Sequence, residues 1–585
     1  MSRLRVILLL AICALPSLPA VAGEPLPPAS QWLSPETVAV LEVTRPEALL
    51  DLVLHPKLMD AVTSSPAYKQ QEKTEQFKEL QRHRENIEEF LERDWQPAVR
   101  ELLGGGVTVA VGPQETAVLM VDAQNADILK DIHKLALIIA RQSAAEAGEP
   151  DRVVSAEYRG VKCWTFGPQE SHAIIGNRLV VTNRPKELTA ILDRQAQAGG
   201  PSLANSPAYQ RAKRAIGDQT AAHIYANAAV LKQVPGIKKA LEGQENPLAV
   251  LLLAGVLESL REANWMTLGL DVQDDTFTLA LATDGNPKTE SGAAAFTMPQ
   301  DPGDGAMPNL DVPRRIAAAS MYRDLHGFYA AKDDLFPERT SELIFFENMM
   351  GIFFTGRDLT EEVLAETDPD VRLVVAGQQY DPEIGTPAVQ VPAFAMVLRM
   401  KNPKKFKPIM EEAWQKAIGL VNFTRGQQAQ PGLIIDRPNH GDTTYTVASF
   451  AATDETEDTT AVDMRFNFQP TLAMPGEFII LSSTGALAKD LIDALQKETD
   501  GPVKPLATTH SVIEVDGQQL AGILSANRES LIRNNMLEEG NTREQAETAI
   551  NMLLMVAERV GDMKLDMAAN DQQSGAKLQL QLNLE

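Results

Sequence analysis

The sequence predicts an α+β fold in two similar lobes, each a largely antiparallel or mixed sheet covered by helices on one side. Three observations carry that prediction. The stretch Gly176 to Asp193, GNRLVVTNRPKELTAILD, returns 300 positions later as Gly476 to Asp493, GEFIILSSTGALAKDLID. Several strand-like segments are joined by turn-length connections, and the chain closes on an alternating hairpin, Lys577-Leu578-Gln579-Leu580-Gln581-Leu582, an antiparallel habit with one wet face. Between the two copies lies a stretch rich in proline, glycine and small residues, Asn286 to Pro313.

The first residues read as a secretory signal peptide over 1–22. Arg3 and Arg5 precede an apolar run from Val6 to Leu15, and Ala20-Val21-Ala22 supplies the small residues of a cleavage site before Gly23. An uncleaved anchor is the alternative, but the run is shorter than the roughly 20 apolar residues of a spanning helix. Cys13 follows the bulky Ile12 where a lipid-attachment motif wants a small residue. Pro247 to Leu257 is the most apolar later stretch, and Gly255, Glu258 and Arg261 interrupt it. The mature chain is therefore expected to be exported, periplasmic or extracellular, and soluble.

Loss of residues 1–22 removes Arg3 and Arg5 and no acid, taking the formal charge from -25 to -27. Such a surface repels nucleic acid and anionic lipid. Only Cys163 remains after cleavage, so apolar burial has to hold the fold without an intrachain disulfide. At 44% hydrophobic residues the chain has the material for it.

Lobe 1 is expected over 23–285. Thr37 to Val53 reads as a strand and helix, with Val43-Thr44-Arg45-Pro46 echoing Val181-Thr182-Asn183-Arg184-Pro185. Proline recurs there because the first helical turn needs no amide from it. Ser65-Pro66-Ala67-Tyr68 and Ser206-Pro207-Ala208-Tyr209 pair an N-cap serine with a proline at the first helical position. One long charged helix is expected after Tyr68, with Phe77, Leu80, Ile87, Phe90, Leu91, Trp95 and Val99 as its apolar stripe. Gly104-Gly105-Gly106 ends it.

The halves then run in parallel. VTVAV at 107–111 matches VRLVV at 371–375; Ala117 to Leu135 matches Ala395 to Trp414; Val161 to Phe166 matches Thr443 to Phe450; and His223 to Ala226 matches Val512 to Val515. Each half closes on a helix and a hairpin. This predicts an internal duplication, with a flexible linker over 286–312 and lobe 2 over 313–585. Lobe 2 alone carries two further loops, Gln378 to Pro392 and the acidic Thr453 to Asp463. Long insertions are where binding sits, or else plain surface loops.

Chemistry-bearing motifs are few. His55, His83, His133, His172, His223, His326, His440 and His510 include no pair at helical zinc spacing, and HExxH and CxxC are absent. His440-Gly441-Asp442 is a turn that could hold a general base, without a serine elbow beside it. Asp301, Asp304 and Asp311 lack calcium-loop spacing, and no Lys-Ser/Thr follows Gly106 as a phosphate loop requires. Asn422-Phe423-Thr424 fits a glycosylation acceptor. Cys163 reads as a small core residue, a redox or metal-binding thiol being the alternative. Met349, Met350, Met552 and Met555 read as core filler, or as a lipid-receiving groove.

The opening SPETVAVLEVTRPEALLDLVL, the SPAY-type helix starts and the repeated strand-turn-helix units resemble the exported bacterial proteins grouped as domain-of-unknown-function family 3352. The resemblance implies an envelope-associated protein of unassigned function and transfers no site residue: catalytic residues are unknown, and no cofactor or metal is implied. The expected function is non-enzymatic binding of an envelope macromolecule or lipid between the two lobes, with no nucleic-acid partner and no membrane span after signal cleavage. The alternative is a hydrolase whose site is assembled from separated residues.

Overall fold

A computed structural model of the protein describes residues 26–583 apart from 65, 92–93, 198, 218–219, 242–245, 286–291, 302, 451–461 and 571–572. The signal segment 1–22 and most of the acidic 453–463 loop lie outside the described residues. The chain divides into two compact units.

The first unit takes the described residues up to Ala240 together with Ala263–Asp284. Its strands are β1 (Ala39–Val43), β2 (Gly106–Val111), β3 (Ala117–Asp122), β4 (Val154–Tyr158), β5 (Val161–Gly167), β6 (Glu170–Ile175), β7 (Arg178–Thr182), β8 (Ala222–Asn227), β9 (Trp265–Gln273) and β10 (Thr276–Thr283). They pair antiparallel in the order β10-β9-β8-β1-β2-β3-β7-β6-β5-β4.

Helices flank this sheet on both faces, where one covered side was expected. Alternate residues of β3 explain it: Val118 and Met120 pack with Leu188, Ile191, Leu192, Tyr209 and Ala212 of the Pro185–Ala196 and Pro207–Ile216 helices. Leu119 and Val121 point the other way, onto Ile128, Leu129 and Ile132 of the Ala126–Glu146 helix. A central strand apolar on both faces has no wet side to offer.

Two local expectations are also corrected. The long helix after Tyr68 is three helices, Pro66–Gln71, Glu75–Leu91 and Trp95–Leu103. Pro97 accounts for the last break, since proline fits a first helical turn and clashes in an interior. Pro207 does open its helix, but the Ser206 side chain makes no capping hydrogen bond.

The second unit takes Leu241–Glu262 and Gly285–Asn583. Its strands are β11 (Arg315–Tyr322), β12 (Thr367–Ala376), β13 (Ala393–Met400), β14 (Leu433–Asp436), β15 (Asn439–His440), β16 (Thr443–Phe450), β17 (Thr471–Ala473), β18 (Phe478–Ser482), β19 (Thr509–Asp516), β20 (Val560–Ala569) and β21 (Ser574–Leu582). These ladders too are antiparallel, in the order β21-β20-β19-β11-β12-β13-β18-β17-β16-β14, with β15 also on β16. Ala395, Val397 and Ile480 meet Leu487, Leu491, Ile492 and Leu495 of the Gly485–Asp500 helix on one face. Leu398 and Ile479 meet Phe406, Met410 and Trp414 of the Pro403–Gln427 helix on the other.

Residues whose composition suggests a linker are built into this unit. Ala293, Ala294, Met298, Ala306, Leu310 and Val312 are buried. The backbone around Gly305 pairs like a short strand: the Ala306 amide donates to Thr509 O at 2.7 Å and the Leu506 amide to Ala306 O at 2.9 Å. A Cβ on Gly305 would lie 1.9 Å from Leu506 O, so glycine is there for close approach. The Pro247–Glu262 helix, expected in the first lobe, likewise belongs to the second unit.

Candidate functional site

A cleft of about 80 Å³ lies in the second unit. Its walls come from the loop after β12, which the first lobe lacks in sequence, and from the segment before β17. Tyr380, Phe450, Phe466 and Phe468 line it with Gln379, Ser449 and Gln469, while Arg314 and Asp490 form one end.

Two asparagines hold the loop in place. Asn467 is 1% exposed; its Oδ1 accepts from Tyr380 Oη at 2.8 Å and the Val391 amide at 2.9 Å, and its Nδ2 donates to Val389 O and Met464 O, both at 2.9 Å. Gln378 Nε2 adds bonds to Val391 O at 2.7 Å and Asn467 O at 2.9 Å. Asn527 pairs with the Gln390 backbone in both directions at 2.8 Å. A loop satisfied this fully is pre-organised, which lowers the entropy a ligand must overcome.

Electrostatics at the end of the cleft are mild. Arg314 Nη2 lies 3.4 Å from Asp490 Oδ2, and its Nε donates to Gly377 O at 3.1 Å. Burial raises the Asp490 carboxyl above its ordinary value despite the nearby guanidinium. Arg425 and Arg465 lie over the Phe450 ring at 4.7 and 5.8 Å from its centroid, and Arg425 Nε also donates to Pro431 O at 2.6 Å.

His440 does reach a carboxylate: its Nε2 is 2.8 Å from Asp493 Oδ1. The two side chains are 31% and 60% exposed, and no described hydrogen bond joins the His440 ring to a hydroxyl nucleophile. The arrangement is a solvated pair one helical turn from Asp490.

The remaining candidates are placed as follows. Asn422 is engaged with β14, donating to Leu433 O at 2.9 Å and accepting from its amide at 2.6 Å, so its amide serves the fold. Cys163 is half-buried against the first unit's core, and burial pushes its thiol up, away from nucleophilic reactivity. Met350 packs on the core, but Met349 is 39% exposed, a correction to its reading as filler. No three potential metal ligands gather among the described residues.

Sequence spacing did not reveal three buried polar groups. Glu42, Tyr209 and His223 meet inside the first unit. His133 and His172 face each other there at 2.9 Å between Nε2 atoms. In the second unit Arg323, 2% exposed, lies beside His510, 4% exposed. Glu42 lies 167 positions from Tyr209, His133 39 from His172 and Arg323 187 from His510, so no local pattern reveals them.

Burial holds His133 at a pKa of about 4, helped by His172, and holds His510 at about 3, helped by Arg323. A histidine depressed in the fold is neutral there while the unfolded chain takes up a proton below about pH 6.5, so stability is retained above that value and falls as the pH drops toward the folded pKa. Urea midpoints measured between about pH 7 and pH 4 are expected to decline, and less steeply in H133F.

Residues 63–301 match the model of a family described as Protein of unknown function (DUF3352). No curated protein matches the chain. Among solved structures, those described as "Structure of crystal form IV of TP0453" and "Structure of crystal form III of TP0453" are 11% identical, with TM-scores of 0.24, and the matches cover 44% and 46% of this chain and 81% and 84% of theirs. No helix among the described residues is long and apolar enough to cross a membrane.

Proposed function

We propose that this chain, whose residues 63–301 match the DUF3352 model, is an exported, non-enzymatic envelope protein built by duplication, and that its second unit binds an envelope macromolecule in the cleft beneath the 378–392 loop. Export rests on the basic, apolar and small-residue sequence of 1–22. Duplication is supported by strand order: β1, β2, β3, β7, β8, β9 and β10 occupy the same places in the first sheet as β11, β12, β13, β18, β19, β20 and β21 in the second.

The observation that carries the binding reading is the cleft wall, four aromatic rings under a pinned loop. Gln378 and Tyr380 of the wall are held by Asn467 behind it, an arrangement suited to presenting a shaped surface. Ring faces with amide and hydroxyl groups beside them fit a neutral, hydroxyl-rich polymer such as cell-wall glycan better than an acyl chain, which needs a longer apolar cavity. The hydrolase alternative draws on the His440–Asp493 pair alone, and that pair faces solvent.

Co-sedimentation of the mature chain with purified cell-wall sacculi tests the proposal, with liposome flotation as the second arm. Binding to sacculi is expected, weakened at least about tenfold in an F450A/F466A double variant that melts like the parent, since each lost aromatic contact removes a kilocalorie or more. Flotation without sedimentation, or sedimentation indifferent to the double variant, would overturn it.

A further inference from the structure

We infer that His133 and His172 form a two-imidazole binding site for a transition-metal ion of the copper or zinc type in the first unit. The histidines come from different elements, His133 from the Ala126–Glu146 helix and His172 from β6, and their Nε2 atoms stand 2.9 Å apart. On the far side of the His172 ring, Nδ1 is held by Glu170 Oε1, while Glu170 Oε2 accepts the Phe166 amide at 2.8 Å. A carboxylate behind one imidazole fixes its tautomer and orientation and strengthens it as a ligand, the arrangement that recurs around metal-bound histidine.

The spacing suits one ion. With metal–nitrogen bonds of about 2.0–2.1 Å, two imidazoles on one ion stand about 2.9 Å apart at a right angle and about 3.3 Å apart in a tetrahedron. The pair therefore has to tilt its rings and open by at most about 0.4 Å. Trp164 and Phe166 wall the site, their centroids 5.4 and 6.4 Å from that of His133. His172 is buried and His133 half-buried, so solvent reaches the site from the His133 side, where water would complete the shell. Imidazole nitrogen selects zinc, copper and nickel over magnesium and calcium, which want oxygen.

Charge decides how tightly the ion is held. With the Glu170 carboxylate holding the Nδ1–H of His172, the proton between the two Nε2 atoms sits on His133 and moves to its Nδ1 when both Nε2 atoms bind the ion. Lys162, whose Nζ lies 4.5 Å from the Trp164 ring centroid, opposes a cation at the site, and Glu170 offsets it.

The test uses the full chain and Cu²⁺ alone, read by electron paramagnetic resonance and by competition with glycine. The expected result is one equivalent showing coupling to two imidazole nitrogens, lost in H133Q and in H172Q and weakened about 10–100-fold in E170Q. Circular dichroism melts identify any variant that has failed to fold, and H133N then substitutes for it. Unchanged Cu²⁺ affinity in the histidine variants, or no stoichiometric binding by the parent, would overturn the site. Neither outcome bears on the cleft of the second unit.

Discussion

Alanine at Glu42 is expected to destabilise the first unit by ~3–5 kcal/mol, because it takes the acceptor out of a buried hydrogen-bonded cluster and leaves two buried polar groups without it. Glu42 sits on β1, 5% exposed, where alternation would place an apolar residue. Its Oε2 accepts from Tyr209 Oη and lies 2.9 Å from Nε2 of His223, a residue of β8 directly opposite it in the ladder. Tyr209 and His223 are 3% and 2% exposed. With Glu42 removed, Tyr209 keeps Ser30 and a long 3.5 Å approach to His223 Nε2, and the His223 ring loses its carboxylate partner while staying buried. Chemical denaturation followed by tryptophan fluorescence reads this directly, since Trp32 and Trp265 belong to the same core. Y209F removes a single hydroxyl and is expected to cost ~1–3 kcal/mol. An E42A midpoint within experimental error of the parent would show that the cluster contributes nothing.

The same cluster sets a pH dependence. Burial acts to raise the Glu42 carboxyl, but the hydrogen bond and charge of His223, with Tyr209 and Lys213, outweigh it and leave the folded value below 4.5. A carboxyl depressed in the fold contributes stability that is fully present above its unfolded pKa and lost as the pH falls through the folded one. E42A should therefore lose part of the acid sensitivity of the parent while being less stable throughout.

The strands were legible in the chain because their evidence is local. Leu179 to Val181 and Ile479 to Leu481 are apolar runs between turn formers, and a run of that kind is buried wherever the fold places it. The pinned loop was legible only as an insertion. What makes it a wall is Asn467, nearly 90 positions from Gln378, and a buried asparagine carries no signature of its own in sequence. The stretch 286–312 shows the opposite failure. Its glycines and prolines read as freedom, but at Gly305 the missing side chain lets two backbones touch, and composition does not distinguish these uses. The allegiance of the Pro247–Glu262 helix was equally hidden, since an apolar helix fits any core of the right shape.

What fastens that helix is Arg323, and R323A is expected to release it. The guanidinium makes bonds to backbone oxygens of Leu251 at 2.7 Å, Leu252 at 3.2 Å, Thr297 and His510 at 3.1 Å and Tyr322 at 2.6 Å, and to Ser511 Oγ at 2.9 Å. Its charge is satisfied here by oxygens of neutral groups. Burial lowers its pKa to about 10, well above neutrality, so it remains charged and donates through every N–H. Hydrogen bonds to a charged group are worth ~1.5–3 kcal/mol each and do not add, so a loss of at least ~3 kcal/mol is the conservative expectation. Hydrogen exchange locates the effect. Amides of 247–262 should lose protection in R323A by more than a hundredfold, the factor to which ~3 kcal/mol corresponds. R323K keeps the charge but has three donors on one atom, which cannot span carbonyls contributed by four separate segments, so it should fall nearer to alanine than to arginine. Unaltered exchange along that helix in R323A would mean that apolar packing of Ala254 against Phe328 and Phe336 holds it without the arginine.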